Sequence, residues 1–127
     1  MRKLNKVAAV VLAAAGFAVM GGATSASAAT PGYVSMWEDG NFGGDRWVHY
    51  AQGTIDKDRF EIHWWNGDNE ISSLQNGTSK WLVVYDKDAW GGERRCIAPG
   101  AEISNMKNIN FNDRAESFEL MGFNPCG

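Results

Sequence analysis

The chain has 127 residues and a formal net charge of −3, from 12 basic and 15 acidic side chains, with two cysteines and six tryptophans. That balance excludes the basic footprint of a nucleic-acid binder and the polybasic patch of a membrane-surface protein. The length suits one small domain.

Arg2, Lys3 and Lys6 form a basic start, residues 7–20 are almost unbroken apolar, and Ala26-Ser27-Ala28 offers a small-x-small cleavage site. This pattern predicts a secretory signal peptide over 1–28. An apolar core of about 14 residues falls short of the roughly 20 that a spanning helix needs, so a membrane anchor is the weaker reading. The expected product is an extracellular domain of 29–127, without membrane attachment. Its 99 residues (127 − 28) carry 9 basic groups (12 − 3) against 15 acidic ones, a net charge of −6. Acidity of this kind is compatible with cation binding and with solubility alone.

After residue 29 helical periodicity is missing. Short aromatic and β-branched runs alternate with Gly, Asn and Asp clusters at about 8–12-residue spacing, the mark of an all-β sandwich. Strands are expected near 33–37, 45–50, 58–62 and 70–74, then near 80–85, 93–97, 101–103 and 116–121. That is four strands in each of two units, eight in all. Residues 64–67 and 104–107 read as loops or single helical turns. Only the tight 75–79 connection separates the units, which are expected to pack together as one domain, unit one over about 33–76 and unit two over about 80–121.

The two units are visible as a repeat. Trp37-Glu38-Asp39-Gly40-Asn41-Phe42-Gly43-Gly44 and Tyr85-Asp86-Lys87-Asp88-Ala89-Trp90-Gly91-Gly92 share the form aromatic-x4-aromatic-x-Gly, 48 positions apart (85 − 37). Asp68-Asn69-Glu70-Ile71-Ser72-Ser73 and Asn112-Asp113-Arg114-Ala115-Glu116-Ser117 recur 44 positions apart (112 − 68). Two signatures, each doubled in the same order, predict a tandem of similar structures. Gly43-Gly44 and Gly91-Gly92 are expected at the hairpin reversals, because Gly reaches positive φ without a Cβ penalty. The pairs Trp37/Phe42 and Tyr85/Trp90 are expected to close over those hairpins, with Ser73 and Ser117 bonding to the bent backbone.

Cys96 and Cys126 both lie in the exported part, where one internal disulfide is expected. Two free or intermolecular thiols are the alternative. Catalytic patterns are missing. His49 and His63 belong to no His-Glu-x-x-His motif, there is no Gly-x-Ser-x-Gly elbow, and the hairpin carboxylates do not argue for a glycosidase pair. Asn76-Gly77-Thr78 reads better as a turn than as a glycosylation acceptor. Trp37 and Trp90 are expected in core roles, whereas Trp47, Trp64, Trp65 and Trp81 are candidates for an exposed patch.

The doubled hairpin and hexapeptide resemble the βγ-crystallin Greek-key motif over nearly all of 33–120. Within that superfamily the chain resembles small secreted actinobacterial proteins grouped with metallopeptidase inhibitors. The stretch 33–44, Cys96-Ile97-Ala98-Pro99-Gly100, Phe111-Asn112-Asp113 and the near-terminal Cys126 carry that likeness. Members have a further cysteine pair around the first strand, and the second of those positions is Ser35 here. The resemblance implies a two-motif Greek-key sandwich and calcium held between the two hexapeptides. Calcium takes six to eight oxygens at about 2.3–2.6 Å, and Asp, Asn and Ser supply them. One implied site uses the Glu38 carbonyl, the Ser72 hydroxyl, Asp113 and the Arg114 carbonyl. The other uses the Asp86 carbonyl, Asn69 and the Glu70 carbonyl, with Glu116 where a hydroxyl belongs. Alternatively these residues only cap tight turns.

The sequence therefore predicts a secreted, monomeric, non-enzymatic βγ-crystallin-like protein that binds calcium. A peptidase inhibitor whose hexapeptides are mere turns, with a secreted peptidase as partner, is one alternative, and a cell-wall or glycan-active protein is another. If a loop contacts a peptidase, 51–58 and 64–68 are the candidates.

Overall fold

Residues 28–63 and 67–127 are described in a computed structural model. The expected signal peptide, apart from Ala28, lies outside the described residues, and so do Trp64, Trp65 and Asn66.

Period-two alternation sets the strands. In β1 (Tyr33–Asp39) Val34 and Met36 enter the core, and Ser35 between them turns to the other face. In the matching strand β5 (Trp81–Lys87) Leu82 and Val84 do the same. The remaining strands are β2 (Gly43–Ala51), β3 (Arg59–Glu61), β4 (Ser73–Asn76), β6 (Gly91–Ile97), β7 (Glu102–Ile103) and β8 (Ser117–Met121). They form two four-stranded sheets, ordered β2-β1-β4-β7 and β3-β8-β5-β6, and every neighbouring pair is antiparallel. Each unit therefore lends its third strand to the sheet of the other. β3 pairs with β8 (Phe60↔Phe118), and β7 pairs with β4 (Leu74↔Ile103). Side chains from both sheets, among them Met36, Leu74, Leu82 and Phe118, meet Ile71 and Phe111 from the segments before β4 and β8 in one buried cluster. At about 25 cal/mol per Å² of apolar surface, this shared burial is the main term holding the sheets together.

The fourth strand starts at Ser73 and not near residue 70, and the 70–72 segment does other work. Asn69 has φ 59°, and Ser72 N–H donates to the Trp37 carbonyl (2.9 Å), so the chain bends across the sheet before it joins it. The equivalent bend at the start of β8 is made by Asp113 (φ 57°). Where a loop or single helical turn was expected at 104–107, the chain forms a 3₁₀ turn, Met106–Ile109, with Asn105 Oδ1 accepting from Lys107 N–H (3.0 Å).

Cys96 and Cys126 form a disulfide with Cα atoms 6.1 Å apart, tying β6 to the C-terminal segment. Asn76 is fully buried. Its amide donates to the carbonyls of Lys80, Ile97 and Ala98 (2.9–3.1 Å), so it is a structural hub and not a sugar acceptor. Trp37, Trp47, Trp81 and Trp90 are all half-buried. Trp37 and Trp90 are lids over hairpins and not core residues: Trp37 packs edge-on against Phe42 (5.4 Å), and Trp90 Nε1 donates to the Phe118 carbonyl (3.0 Å). An exposed tryptophan patch is likewise not found among the described residues, where the large exposed apolar side chains are Ile55 and Phe123.

Candidate functional site

The site grows out of the two bent hairpins. The reversals are made by consecutive non-glycine residues at positive φ, Asn41 and Phe42 (55° and 59°) in one unit, Ala89 and Trp90 (57° and 55°) in the other. Gly44 and Gly92 do take the positive φ expected of them (72° and 80°), but stand just after the reversal and not within it. A Cβ on Gly44 would come within 2.7 Å of Asp39 Oδ2, and one on Gly92 would clash with Asp86 Oδ1. Their role is to admit a carboxylate against the backbone.

Serine holds each bend. Ser73 Oγ donates to the Asp39 carbonyl (2.6 Å) and accepts from Phe42 N–H (3.0 Å). Ser117 Oγ donates to the Lys87 carbonyl (2.7 Å) and accepts from Trp90 N–H (3.1 Å). The hexapeptides also brace each other. Asp113 N–H donates to the Ile71 carbonyl (3.0 Å), and Asn69 N–H to the Ala115 carbonyl (3.3 Å). Two junctions result, in each of which one hairpin meets both hexapeptides.

The first junction opens as a groove of about 360 Å³ lined by Glu38, Asp39, Asn69, Glu70, Ser72 and Asp113. It gathers four carboxylates, an amide and a hydroxyl, and its lining holds no basic side chain. Ser72 Oγ donates to Asp113 Oδ1 (3.2 Å). The Glu38 pKa is raised, first by desolvation and then by the negative charges of Asp39, Asp45 and Glu70. The structure thus unites Glu38, Ser72 and Asp113. It also brings Asn69 and Glu70, assigned to the second site from sequence, to this groove.

The second junction differs in charge. Arg114 stands where the first has Glu70, and Lys87 where it has Asp39. The Arg114 guanidinium bridges Asp86 (2.7 Å) and Glu93, and Asp86 also accepts from Glu93 N–H (2.8 Å). The guanidinium beside Asp86 holds its carboxyl below the ordinary range. Glu116 faces a different group. Desolvation, then the charges of Asp68 and Asp88, push its pKa up. The Asp68 pKa is raised by desolvation and by Asp88, and its buried Oδ1 has no hydrogen-bond partner among the described residues.

Both donor sets suit a hard cation. No three His, Cys, Asp or Glu side chains among the described residues converge to hold a metal ion by themselves. A cation in the groove would therefore need hydroxyl and carbonyl oxygens beside the Asp113 carboxylate, a calcium-like mixture; of the set implied by sequence, Glu38, Ser72 and Asp113 line the groove and Arg114 does not. At the second junction the orphaned Asp68 oxygen is the group that asks for a partner. Sequence reasoning assigned Asp39 and Asp88 to hairpin turns and Asp68 to the hexapeptide, and gave none of them a place in a site. Asp39 and Asp88 sit in the repeated hairpins and Asp68 opens the hexapeptide, so the repeat itself was the available signal.

A family model described as peptidase inhibitor family I36 matches residues 22–97, which is more than half of the chain. The chain belongs to peptidase inhibitor family I36. None of the curated proteins matches it. Among solved structures it is similar to one from a study of the evolution of the eye lens βγ-crystallin domain fold. That likeness has a TM-score of 0.62 and 19% identity, and covers 81% of this chain and 96% of the other. A βγ-crystallin from an archaeon (TM-score 0.57, 20% identity) covers 72% of this chain and 100% of its own. The Ciona intestinalis βγ-crystallin (0.57, 17%) covers 71% and 100%. At these identities the likeness is one of fold: this family member has the βγ-crystallin architecture.

Proposed function

We propose that the protein is a secreted, non-enzymatic inhibitor of an extracellular peptidase, built on a scaffold that takes up calcium. Family membership over 22–97 carries the inhibitor reading. Titrating a panel of secreted metallo- and serine peptidases with the pure protein tests it. Inhibition of at least one enzyme at sub-micromolar concentration is expected, and silence across the panel at micromolar concentration would sink the reading.

The groove of four carboxylates carries the calcium reading, with Glu38, Ser72, Asp113 and Arg114 as the better set and Asp86, Asn69, Glu70 and Glu116 as the weaker. A ligand that binds only the folded state stabilises it by RT ln(1 + [L]/Kd). With Kd near 10⁻⁴ M, as in extracellular modules, about 10 mM calcium adds about 2.7 kcal/mol, or some 10 °C in melting temperature. Equal melting in chelator and in calcium would leave the hexapeptides as turn caps.

One observation supports a non-enzymatic role. The pair nearest to a nucleophile and base is Ser35 Oγ with His49 Nδ1 (2.9 Å), yet Ser35 is 2% exposed, out of reach of a substrate. The Glu116 carboxyl, with its raised pKa beside Asp68 and Asp88, is the one feature that favours a glycan hydrolase. Turnover on a glycan panel that disappears in Glu116→Gln would establish that activity instead.

A further inference from the structure

The repeat leaves a surplus. From the hairpin aromatic to the hexapeptide, unit one uses 31 positions (68 − 37) and unit two 27 (112 − 85), so unit one has four extra residues. The extra length falls between β2 and β3, where residues 53–57 are exposed without a break. Unit two makes the same crossover without them, so the fold does not require the longer loop.

The loop is nevertheless held tightly from below. Asp58 is 5% exposed and its Oδ1 accepts from Tyr50 Oη (2.7 Å) and Gly53 N–H (2.6 Å), while Lys80 reaches its Oδ2 (3.5 Å). Tyr50 Oη in turn accepts from Ile55 N–H (3.0 Å), and Asp58 N–H donates to the Ile55 carbonyl (2.9 Å). Thr54 Oγ1 caps the Ala51 carbonyl (2.7 Å). At the loop's base Gln52 N–H donates to the Gly32 carbonyl (2.8 Å). Burying an ionised carboxylate and a tyrosine hydroxyl costs free energy unless both are fully bonded, and here they bond to the loop they support. Their product is Ile55, an aliphatic side chain left 43% exposed on extended backbone (φ −115°, ψ 144°). Both backbone polar groups of Ile55 are used internally, so what the loop offers outward is its side chain.

We infer that the 53–57 loop is the surface that enters the peptidase, with Ile55 as the anchor in an apolar specificity pocket suited to a branched aliphatic side chain. This rests on the inhibitor reading above. The matched family segment contains the whole loop and stops short of the C-terminal turn that bears Phe123. A loop already fixed in its bound shape loses little entropy on docking, which is how a small rigid inhibitor reaches high affinity.

The test uses the peptidase that the wild-type protein inhibits, with inhibition constants measured for Ile55→Asp, Tyr50→Phe and Phe123→Asp. Ile55→Asp is expected to raise the constant about 100-fold, as removal of a buried anchor does, with melting temperature and calcium response unchanged. Tyr50→Phe keeps Ile55 but frees its N–H, and is expected to weaken inhibition about tenfold through lost preorganisation. Phe123→Asp, at the other exposed apolar residue, is expected to inhibit like wild type. Full inhibition by Ile55→Asp, or its loss in Phe123→Asp alone, overturns the loop assignment and leaves the inhibitor reading intact. A wild-type protein that inhibits no peptidase overturns both.

Discussion

The hairpin of β1 and β2 and that of β5 and β6 meet the hexapeptides through the same hydrogen bonds, and they surround those bonds with different charge. Ser72 N–H to the Trp37 carbonyl and Glu116 N–H to the Tyr85 carbonyl are both 2.9 Å. Yet Glu70 at the first junction corresponds to Arg114 at the second, Asp39 to Lys87, and Ser72 to Glu116. In the first junction carboxylates gather without an internal cation. In the second, Asp86 is neutralised by the Arg114 guanidinium, and the acidic surplus moves to Asp68, Asp88 and Glu116. Backbone bonds thus reproduce a shape through a repeat, while side chains decide what that shape attracts. The second junction carries part of its counter-charge covalently, and the lining of the first holds none.

Four experiments would break or sharpen this contrast. The largest effect is expected from Cys96→Ala with Cys126→Ala, because a bridge closing 30 positions contributes roughly 3–4 kcal/mol. Melting should fall by about 15 °C, while the increment between chelator and calcium stays as it was, since the bridge touches neither junction. A lost increment would show that the junctions depend on the second unit's tail. Next comes Asp113→Ala, expected to erase most of the roughly 10 °C calcium increment by removing a carboxylate from the first groove. If the increment survives intact, calcium is held elsewhere.

Arg114→Ala removes only a side chain, leaving the carbonyl proposed for the first site. Its ion pairs are solvent-exposed, so only a small loss of stability is expected in chelator. Calorimetric titration, however, should show tighter calcium binding at the second junction once the guanidinium's positive charge is gone. An unchanged titration would mean that the guanidinium is no competitor for the ion.

The smallest effect is a shift in the pH of greatest stability. Glu38, Asp68 and Glu116 have raised pKa values in the folded protein, so their contribution is present below the unfolded value near 4 and is lost as pH rises through the folded one. For Asp58 burial opposes the charge, but the bonds from Tyr50, Gly53 and Lys80 outweigh it and lower the pKa. Asp86 and Glu93 are lowered mainly by Arg114. These three contribute above the unfolded value near 4, and the contribution is lost as pH falls through the folded values. In chelator the maximum should therefore lie on the acid side of neutrality. Calcium should move it upward, and a maximum that ignores calcium would separate the raised carboxyls from the metal.

Much of this architecture was legible because a doubled signature carries topology with it. Trp37, Ser73, Tyr85 and Ser117 recur at spacings that only a repeated hairpin and crossover explain. The hairpin reversal was not legible. Positive φ at Phe42 and Trp90 runs against local preference and is imposed by the serine hydroxyls and the packing above them. Nor does sequence show that Arg114 reaches Asp86 and Glu93, or that Asp58 closes under the 53–57 loop, because each contact joins residues through the fold and not through a local pattern.

The exchange of β3 and β7 between sheets also sets the order in which the chain can fold. Among the described residues β3 has its only ladder with β8, where Arg59 faces Glu119 across 60 positions. Loop closure of that length must precede any reward from the contact, so the step is slow on the scale of local hairpins. The first unit has no partner for its third strand until the last strand of the chain is available. Before β8 is in place the β5–β6 hairpin can form but the second sheet cannot close, and the edge of β3 stays open until β8 pairs with it.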